Sequence, residues 1–245
     1  MTLDLASRDR CFVIAEAGTC HADPDPVTRF RKAIDYVHAA KMAGADAVKF
    51  QWFAVHTDGQ LFGADLFCPY PGDGARVYRW RDSILPVGQW AQVKEAAEAC
   101  GLVFLASAFQ DQTVAWLKEL GVVASKVASR AAATFPYDRA PYPYLISLGM
   151  HRAPDGLDLT QCWLLECEAN YPSTARWQRV HPGFSDHSGN PWRAIDAIMR
   201  GCKLVEVHYF LDERDAGPDL PASLTLDQLR AVCEARDAFA TIRTL

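Results

Sequence analysis

The sequence predicts an α/β fold, a (β/α)8 TIM barrel in a single domain over residues 1–245. A strand-like segment, a turn, a helix and a glycine recur along the chain in that order. The strand-like segments are apolar and rich in β-branched or aromatic residues, which is typical of parallel strands buried on both faces. Eight of them occur, the number that closes a barrel, and 245 residues fit one barrel of ordinary size.

The predicted strands are separated by segments long enough for a crossover helix. Four strands follow a helix that ends at a glycine, which adopts the left-handed conformation without a Cβ clash. These glycines are Gly44, Gly101, Gly121 and Gly201. The eight strands are expected at residues 12–18, 47–51, 102–108, 125–129, 144–149, 162–169, 183–187 and 204–209.

Helix starts agree with this alternation. Asp25 is an expected N-cap, and the proline that follows it suits the first turn of a helix. Asp111 is the expected cap of a later helix. Thr225 and Gln228 have the spacing of a capping box at the start of the last helix.

Two connections differ from the regular pattern. Residues 52–85 form the longest one, and their prolines and glycines favour a loop over the barrel mouth. Residues 150–161 are too few for a full helix and contain Pro154 and Gly156. We therefore expect the fifth outer helix to be reduced or missing, and the barrel face exposed there could be covered by another copy in a homo-oligomer.

Composition excludes several classes of partner. The net charge of -5 argues against a nucleic acid or an acidic membrane surface as partner. No apolar run approaches the roughly 20 residues of a membrane span, and the polar N-terminus is unlike a signal peptide. The eight cysteines form no CxxC pair, which favours reduced thiols and a cytoplasmic location.

Polar residues occur near the carboxyl ends of nearly all the predicted strands, where barrel enzymes place their active sites. Charged groups inside strands are costly unless they are paired or used, so this distribution predicts a functional mouth. The residues concerned are Glu16, Lys49, Gln51, Ser107, Lys126, Ser129, Ser147, Glu166, Glu168, Ser185, Asp186, His187, Glu206 and His208.

These side chains suit two kinds of chemistry. His187 and His208 end adjacent strands and could share one divalent metal, with open positions for substrate oxygens. Asp186 alternates to the opposite face from His187, so we expect it to bond the barrel wall or a neighbouring helix. A cationic, hydroxyl-rich group suits a phosphate and a carboxylate. Its members are Lys49, Ser107, Lys126, Ser129, Ser147 and Ser185.

Several short segments together resemble the sialic acid synthase family over nearly the whole chain. The most specific are residues 184–188 (FSDHS), 206–212 (EVHYFLD) and 217–219 (GPD). Residues 14–18 with His21, and residues 44–51, 126–129, 147–150 and 171–172, also fit the family pattern. Their order and spacing carry the resemblance, because each segment alone would be weak.

The resemblance implies a metal-dependent condensation of phosphoenolpyruvate with the aldehyde of an N-acylated sugar, with release of phosphate. It implies Mn²⁺ or Mg²⁺ as cofactor, with His187 and His208 as ligands. Glu16 and Glu206 would position water or move protons, and Tyr171 is either a sugar contact or a wall aromatic. The cationic, hydroxyl-rich group would hold phosphoenolpyruvate, Lys126 also being a catalytic candidate, while Gln51 and Asp219 would face the sugar.

Departures from the family pattern fall mainly on the sugar side. The family's Lys-Ile-Ala-Ser-Gly-Glu run is here 126–131 (KVASRA), which loses the acidic residue. A His-Cys pair on strand six becomes Glu166-Cys167. We also expect the family's C-terminal antifreeze-like domain, which covers the partner's active site, to be missing. Together with Arg130, Glu166 and Glu168, these changes favour an acceptor other than N-acetylmannosamine.

Two other functions remain compatible with the sequence. A metal-dependent aldolase or lyase could use the same mouth without phosphoenolpyruvate, and would release no phosphate. A catalytically silent sugar-phosphate-binding subunit would be stabilised by its ligand and would turn over no aldehyde.

Overall fold

Eight parallel strands close into a barrel in a computed structural model that describes residues 3, 5, 8–54 and 74–243. Each strand pairs with the next along the chain, and β1 also pairs with β8. A short ninth strand continues parallel to the end of β8. The strands are β1 Phe12–Gly18, β2 Ala47–Trp52, β3 Val103–Ala108, β4 Ser125–Val127, β5 Tyr144–Leu148, β6 Cys162–Cys167, β7 Gly183–Asp186, β8 Leu204–Phe210 and β9 Ser223–Thr225. The predicted (β/α)8 barrel is confirmed, with strand ends shifted by a residue or two.

Helices occupy the outside of the barrel. Short 3-10 turns add residues Leu159–Gln161 and Gly217–Ala222. The helices are α1 Pro26–Ala43, α2 Gly74–Asp82, α3 Val87–Ala99, α4 Asp111–Glu119, α5 Pro191–Met199, α6 Glu213–Ala216 and α7 Leu226–Arg243.

Most of the predicted helix boundaries are confirmed by their hydrogen bonds. Asp25 accepts a hydrogen bond from the Thr28 amide at 2.8 Å, and Thr225 and Gln228 bond each other reciprocally before α7. The four predicted glycine joints all have positive φ. Asp111 was wrong as a cap: it is the first residue of α4, and Gln110 is the N-cap.

The fifth outer helix is absent as predicted, and only a 3-10 turn lies between β5 and β6. The connections at 128–143 and 168–182 also lack an α-helix, which the sequence did not predict. In the first of these, Phe135 and Tyr137 pack edge-on against Tyr144 and cover β5 in place of a helix. Strand β6 is less well covered, because most of its residues remain partly exposed.

The inside of the barrel has two layers. Because side chains alternate along a strand, every second residue points inward. The inward positions nearer the amino ends of the strands are apolar and form one cluster. The next inward positions, two residues further along each strand, are polar. The apolar layer includes Phe12, Ile14, Ala47, Leu105, Leu145, Leu165 and Leu204. It is a packed floor beneath the polar residues.

The predicted loop over the mouth lies mainly at residues 55–73, outside the described residues. Helix α2 contacts the residue that follows β1. Arg79 donates one hydrogen bond to the Thr19 hydroxyl at 3.1 Å and another to the Thr19 carbonyl at 3.2 Å. None of the helices in the described ranges is long and apolar enough to cross a membrane.

Gly183 provides a test of the apolar floor. A Cβ there would lie 2.7 Å from Leu204 Cδ2 and 2.9 Å from Leu165 Cγ, inside a closed barrel. Gly183→Ala should therefore lower the free energy of unfolding by about 1–3 kcal/mol, the usual cost of overpacking. Urea denaturation measures this change. Gly88→Ala, at a position with nothing within 4 Å, is the matched control and should leave stability unchanged or slightly higher. Equal midpoints for the two variants would contradict the description of the floor.

Candidate active site

One cavity opens at the carboxyl ends of the strands. All thirteen residues that the sequence predicts for the site line it, although they come from seven of the eight barrel strands and from four segments that follow strand ends. They are Glu16, Lys49, Gln51, Ser107, Lys126, Ser129, Ser147, Tyr171, Ser185, His187, Glu206, His208 and Asp219. The alternation that places apolar residues on the floor thus places the strand residues of this set above it.

Four buried charges form a connected network at the base of the cavity. Lys49 Nζ lies 2.8 Å from Glu16 Oε1 and 3.7 Å from Glu206 Oε2. Lys126 Nζ lies 3.6 Å from Glu206 Oε1. All four side chains are almost completely buried. Two positive and two negative charges therefore balance one another where water cannot solvate them.

Hydroxyl groups complete this network. Lys49 donates to Ser107 Oγ at 3.0 Å, and Lys126 donates to Ser147 Oγ at 2.8 Å. Ser185 Oγ donates to Glu206 Oε1 at 2.8 Å. Each charged group is thereby oriented by a neighbouring strand, which keeps the lysine ammonium groups at fixed positions for an anionic ligand.

The network sets the protonation of its members. Burial opposes the charge of Lys49, but Glu16 and Glu206 raise its pKa above the usual value. Burial also opposes the charge of Glu206, yet Lys126 and Lys49 lower its pKa well below the usual range. For Lys126 burial dominates and its pKa is lowered. Glu206 is therefore ionised at neutral pH, and Lys126 gives up a proton more readily than an ordinary lysine.

The two predicted metal ligands lie side by side in the cavity lining, with their rings edge to face. The ring centroids of His187 and His208 are 5.2 Å apart. His187 Nδ1 lies 2.7 Å from the Glu168 carbonyl, which can only accept, so this nitrogen carries the hydrogen and Nε2 keeps its lone pair. Burial lowers the pKa of His187 to about 4. The ring is thus neutral, with Nε2 available as a ligand.

Tyr171 and Asp219 hold this pair in place. The Tyr171 ring stacks on His187 at 4.3 Å, meets His208 edge-on at 5.8 Å, and its hydroxyl lies 3.1 Å from His187 Nε2. Asp219 Oδ2 lies 3.9 Å from His208 Nδ1. Tyr171 is therefore both a cavity residue and a wall against the imidazoles.

The donors fit a divalent metal with open positions. Within the described ranges, no three His, Cys, Asp or Glu side chains gather into a metal-binding group. An ion held here would take two imidazoles from the chain and its other ligands from substrate or water, which suits a catalytic site. The hydrogen bond from His187 Nδ1 to a backbone carbonyl is the usual orienting contact of a metal-binding histidine.

Two residues predicted to distinguish the acceptor side lie elsewhere. Glu166 accepts hydrogen bonds from the amides of Gln178, Val180 and His181 at 2.6 to 3.1 Å. Glu168 likewise accepts from the amides of Thr174 and Ala175 and from Ser173 Oγ. Neither lines the cavity. Both carboxylates hold the connection between β6 and β7 through its backbone amides. The prediction that Glu166 and Glu168 help to select the acceptor is therefore wrong.

Asp186 lies outside the cavity lining, as its outward position in the alternation predicts. It accepts a hydrogen bond from the Ser188 amide at 2.9 Å in the turn after β7, where bonding to the barrel wall or a neighbouring helix was expected. Six cavity residues were missed as site residues: Phe109, Ala128, Arg130, Met150, Cys167 and Ala169. Cys167 could have been found, because it is two residues beyond Leu165 and therefore points inward like it. The other five follow strand ends, where the alternation no longer applies.

The chain matches the NeuB family over residues 36–243, which is most of its length. It belongs to the NeuB family. Over 263 residues it is 27% identical to the N,N'-diacetyllegionaminic acid synthase of Legionella pneumophila, covering 93% of this chain and 72% of the relative. It is 28% identical over 250 residues to the human N-acetylneuraminate-9-phosphate synthase, covering 89% of this chain and 67% of that one.

A solved structure agrees in fold. The N-acetylneuraminic acid synthetase of Leptospira borgpetersenii superimposes with a TM-score of 0.75 at 20% identity, covering 99% of this chain and 90% of that one. Proteins of the NeuB family are sugar-acid synthases that condense phosphoenolpyruvate with a sugar substrate. The chain is therefore a phosphoenolpyruvate-dependent synthase that forms a carbon–carbon bond.

Lys49→Met tests the charge network. The variant leaves Glu16 and Glu206 buried with less compensating charge, so the free energy of unfolding should fall by about 3–5 kcal/mol. Chemical denaturation at neutral pH measures it. Lys94→Met breaks an ion pair of the i,i+4 type on the surface of α3 and should cost no more than about 0.5 kcal/mol. Similar losses for the two variants would show that the buried network is unimportant.

Proposed function

We propose that this enzyme condenses phosphoenolpyruvate with an aldehyde sugar other than N-acetylmannosamine, using Mn²⁺ or Mg²⁺, to give a 2-keto-3-deoxy acid and phosphate. The observation that supports this proposal best is that His187, His208 and a balanced lysine–glutamate network surround one cavity. A silent binding protein has no need of buried charges that are costly to maintain.

The base of the cavity suits phosphoenolpyruvate. Lys49 and Lys126 supply two buried positive charges, and the surrounding serines supply hydroxyl donors. When a phosphate and a carboxylate bind there, the lysines gain anionic partners in addition to the two glutamates. We therefore assign phosphoenolpyruvate to Lys49, Ser107, Lys126, Ser129, Ser147 and Ser185.

The reaction forms one carbon–carbon bond and breaks one carbon–oxygen bond. Carbon three of phosphoenolpyruvate attacks the aldehyde carbon, and the aldehyde oxygen takes a proton to become a hydroxyl. Water adds to carbon two and loses one proton, and the new hydroxyl loses its remaining proton as the C–O bond to phosphate breaks, leaving a ketone. The two protons lost by water balance the one taken by the aldehyde oxygen and the one taken by the departing phosphate. A divalent metal bound by His187 and His208 would polarise the aldehyde carbonyl as a Lewis acid.

The glutamates are placed to handle the water. Glu16 Oε2 and Glu206 Oε2 are buried and have no hydrogen-bond partner in the described part of the chain. Buried carboxylate oxygens without a partner are costly, and a water molecule would satisfy them. Glu206, kept ionised by the lysines, accepts a hydrogen bond from the attacking water. Lys126, with its lowered pKa, donates a proton to the departing phosphate.

The acceptor side is formed by Gln51, Tyr171 and Asp219. Gln51 Nε2 donates to Glu16 Oε1 at 3.2 Å, and a Cβ at Gly18 would lie within 3.8 Å of Gln51, Glu16 and Asp219. These groups therefore meet in a narrow space where sugar hydroxyls could bind. Arg130, one of the departures from the family pattern, lines the same cavity, which supports a different acceptor.

Incubation with phosphoenolpyruvate, Mn²⁺ and a panel of aldehydes tests the proposal. Phosphate release that depends on one aldehyde, with a product mass equal to the sum of the substrates and water less phosphoric acid, would support it. In heavy-oxygen water the released phosphate should carry no label, because the C–O bond breaks. An aldol product without phosphate would favour an aldolase instead, and robust use of N-acetylmannosamine alone would refute the acceptor assignment.

His187→Ala and His208→Ala should each abolish Mn²⁺ binding and lower phosphate release at least about a hundredfold, because a Lewis acid contributes several kcal/mol to the transition state. Titration calorimetry with Mn²⁺ and a phosphate assay measure the two effects. His38→Ala, on the exposed face of α1, is the control and should keep both. Full activity of either cavity variant in the presence of a chelator would rule out the metal site.

Lys126→Ala should raise the KM for phosphoenolpyruvate about ten- to hundredfold, because a charge-assisted hydrogen bond is worth about 1.5–3 kcal/mol. The KM for the aldehyde should change little. Initial rates with each substrate varied in turn measure the split. Lys118→Ala, on the surface of α4, should match the wild type. A larger effect on the aldehyde than on phosphoenolpyruvate would place Lys126 in the acceptor site.

A further inference from the structure

Arg130 lines the cavity from the connection that follows β4. It directly follows Ser129. The pattern of the family that this chain resembles has a glycine at this position. Its guanidinium lies over the Phe109 ring, 4.1 Å from the centroid, and 5.2 Å from the centroid of the Trp80 ring. A long cationic side chain therefore occupies a rim position where the pattern requires no side chain.

A stack of aromatic rings supports this guanidinium. Phe53 stacks on Phe109 at 5.1 Å and 9°, and on Trp80 at 5.0 Å and 18°. Phe53 and Trp80 are almost fully buried, and the cluster joins the end of β2, the start of the β3 connection and α2. The rings give Arg130 a firm platform. When the flat face of a guanidinium stacks on a ring, its N–H groups point outward from its edge, where they can bind a carboxylate or a phosphate.

The charge of Arg130 acts on the same space as the lysines. Burial and the positive charge of Arg130 both lower the pKa of Lys49, while Glu16 and Glu206 raise it. The cavity is therefore lined by three cations, Lys49, Lys126 and Arg130. An anionic ligand in this cavity would be attracted by all three charges.

We propose that Arg130 binds an anionic oxyacid group, a phosphate or a carboxylate, of a ligand in the cavity. The proposal rests on the proposed function in one respect, that the ligand is one of the two substrates. The group belongs either to phosphoenolpyruvate, above the base of the cavity, or to an aldehyde acceptor that is itself phosphorylated or acidic. Arg130 is a binding residue in both cases, and it narrows the range of substrates that the rim accepts.

Three variants separate this role from a structural one. Arg130→Met keeps much of the aliphatic length over the rings and loses the charge and the N–H groups. Arg130→Lys keeps the charge and loses the planar fork. Arg139→Met is the matched control, because Arg139 lies on the same connection, is more than half exposed and pairs with Asp111 at the surface.

Binding is measured first, without turnover. Titration calorimetry with phosphoenolpyruvate, and with inorganic phosphate competing against it, gives the dissociation constants. If the group is that of phosphoenolpyruvate, Arg130→Met should weaken binding at least about tenfold, since hydrogen bonds to charged groups contribute about 1.5–3 kcal/mol. Arg130→Lys should be intermediate and Arg139→Met unchanged. Melting temperatures of the free variants show whether each one folds, and Arg130→Lys keeps the test open if Arg130→Met does not.

Kinetics then identify the source of the anion. Paired aldehydes that differ only in a phosphate or carboxylate group are compared with saturating phosphoenolpyruvate. If Arg130→Met raises the KM of the anionic aldehyde and not that of its uncharged counterpart, the anionic group belongs to the acceptor. If it raises the KM of phosphoenolpyruvate, the group belongs to phosphoenolpyruvate. If a folded Arg130→Met binds phosphoenolpyruvate, phosphate and both aldehydes like the wild type, Arg130 is structural and the inference is overturned.

The two proposals fail in different ways. A wild-type enzyme that releases no phosphate with any aldehyde refutes the acceptor chemistry, yet weaker phosphate or phosphoenolpyruvate binding in Arg130→Met would still support the anion site. Normal turnover in the wild type, with no change in any dissociation constant or KM in Arg130→Met, refutes the anion site and leaves the condensation intact.

Discussion

Charges buried inside a closed barrel must be balanced by other charges within reach, because bulk water does not surround them. Glu16 and Glu206 meet this requirement for Lys49, and Glu206 meets it for Lys126 as well. Each of the four is attached to a different strand, so the balance exists only when β1, β2, β4 and β8 are in register. The network therefore links the correct closure of the barrel to the assembly of its anion-binding base.

The register that satisfies the charges also separates two layers. Ile14 and Glu16 point inward from β1, as do Leu204 and Glu206 from β8, and β1 and β8 pair directly. A slip of one residue would send the apolar members outward and the charged members into the wall. The period of two in the sequence thus predicts both the packed floor and the polar mouth above it, whereas Tyr171 and Asp219 lie on connections and were expected from the family resemblance.

The prediction was weaker where local chemistry replaces the strand–helix repeat. The connections at 128–143 and 168–182 are held by aromatic packing on Tyr144 and by carboxylates that accept from backbone amides. Such contacts have no fixed spacing in a sequence, so Glu166 and Glu168 resembled mouth residues. Arg130 follows the last strand residue, and its orientation depends on Phe53, Phe109 and Trp80, which are distant in the chain.

The three consecutive connections without an α-helix leave one strand of the barrel less well covered than the others. Strands β1 and β3 are completely buried, whereas β6 is partly exposed along most of its length. Segments with fewer buried apolar contacts open locally at a lower free energy than the core, so amide hydrogens of β6 should exchange with solvent sooner than those of β1 or β3. Lys49 and His208 belong to strands that are almost wholly buried, whereas Cys167 belongs to β6 and Tyr171 follows it. The wall of the cavity formed by β6 should therefore adapt to a ligand at a lower free-energy cost than the wall formed by β2 and β8.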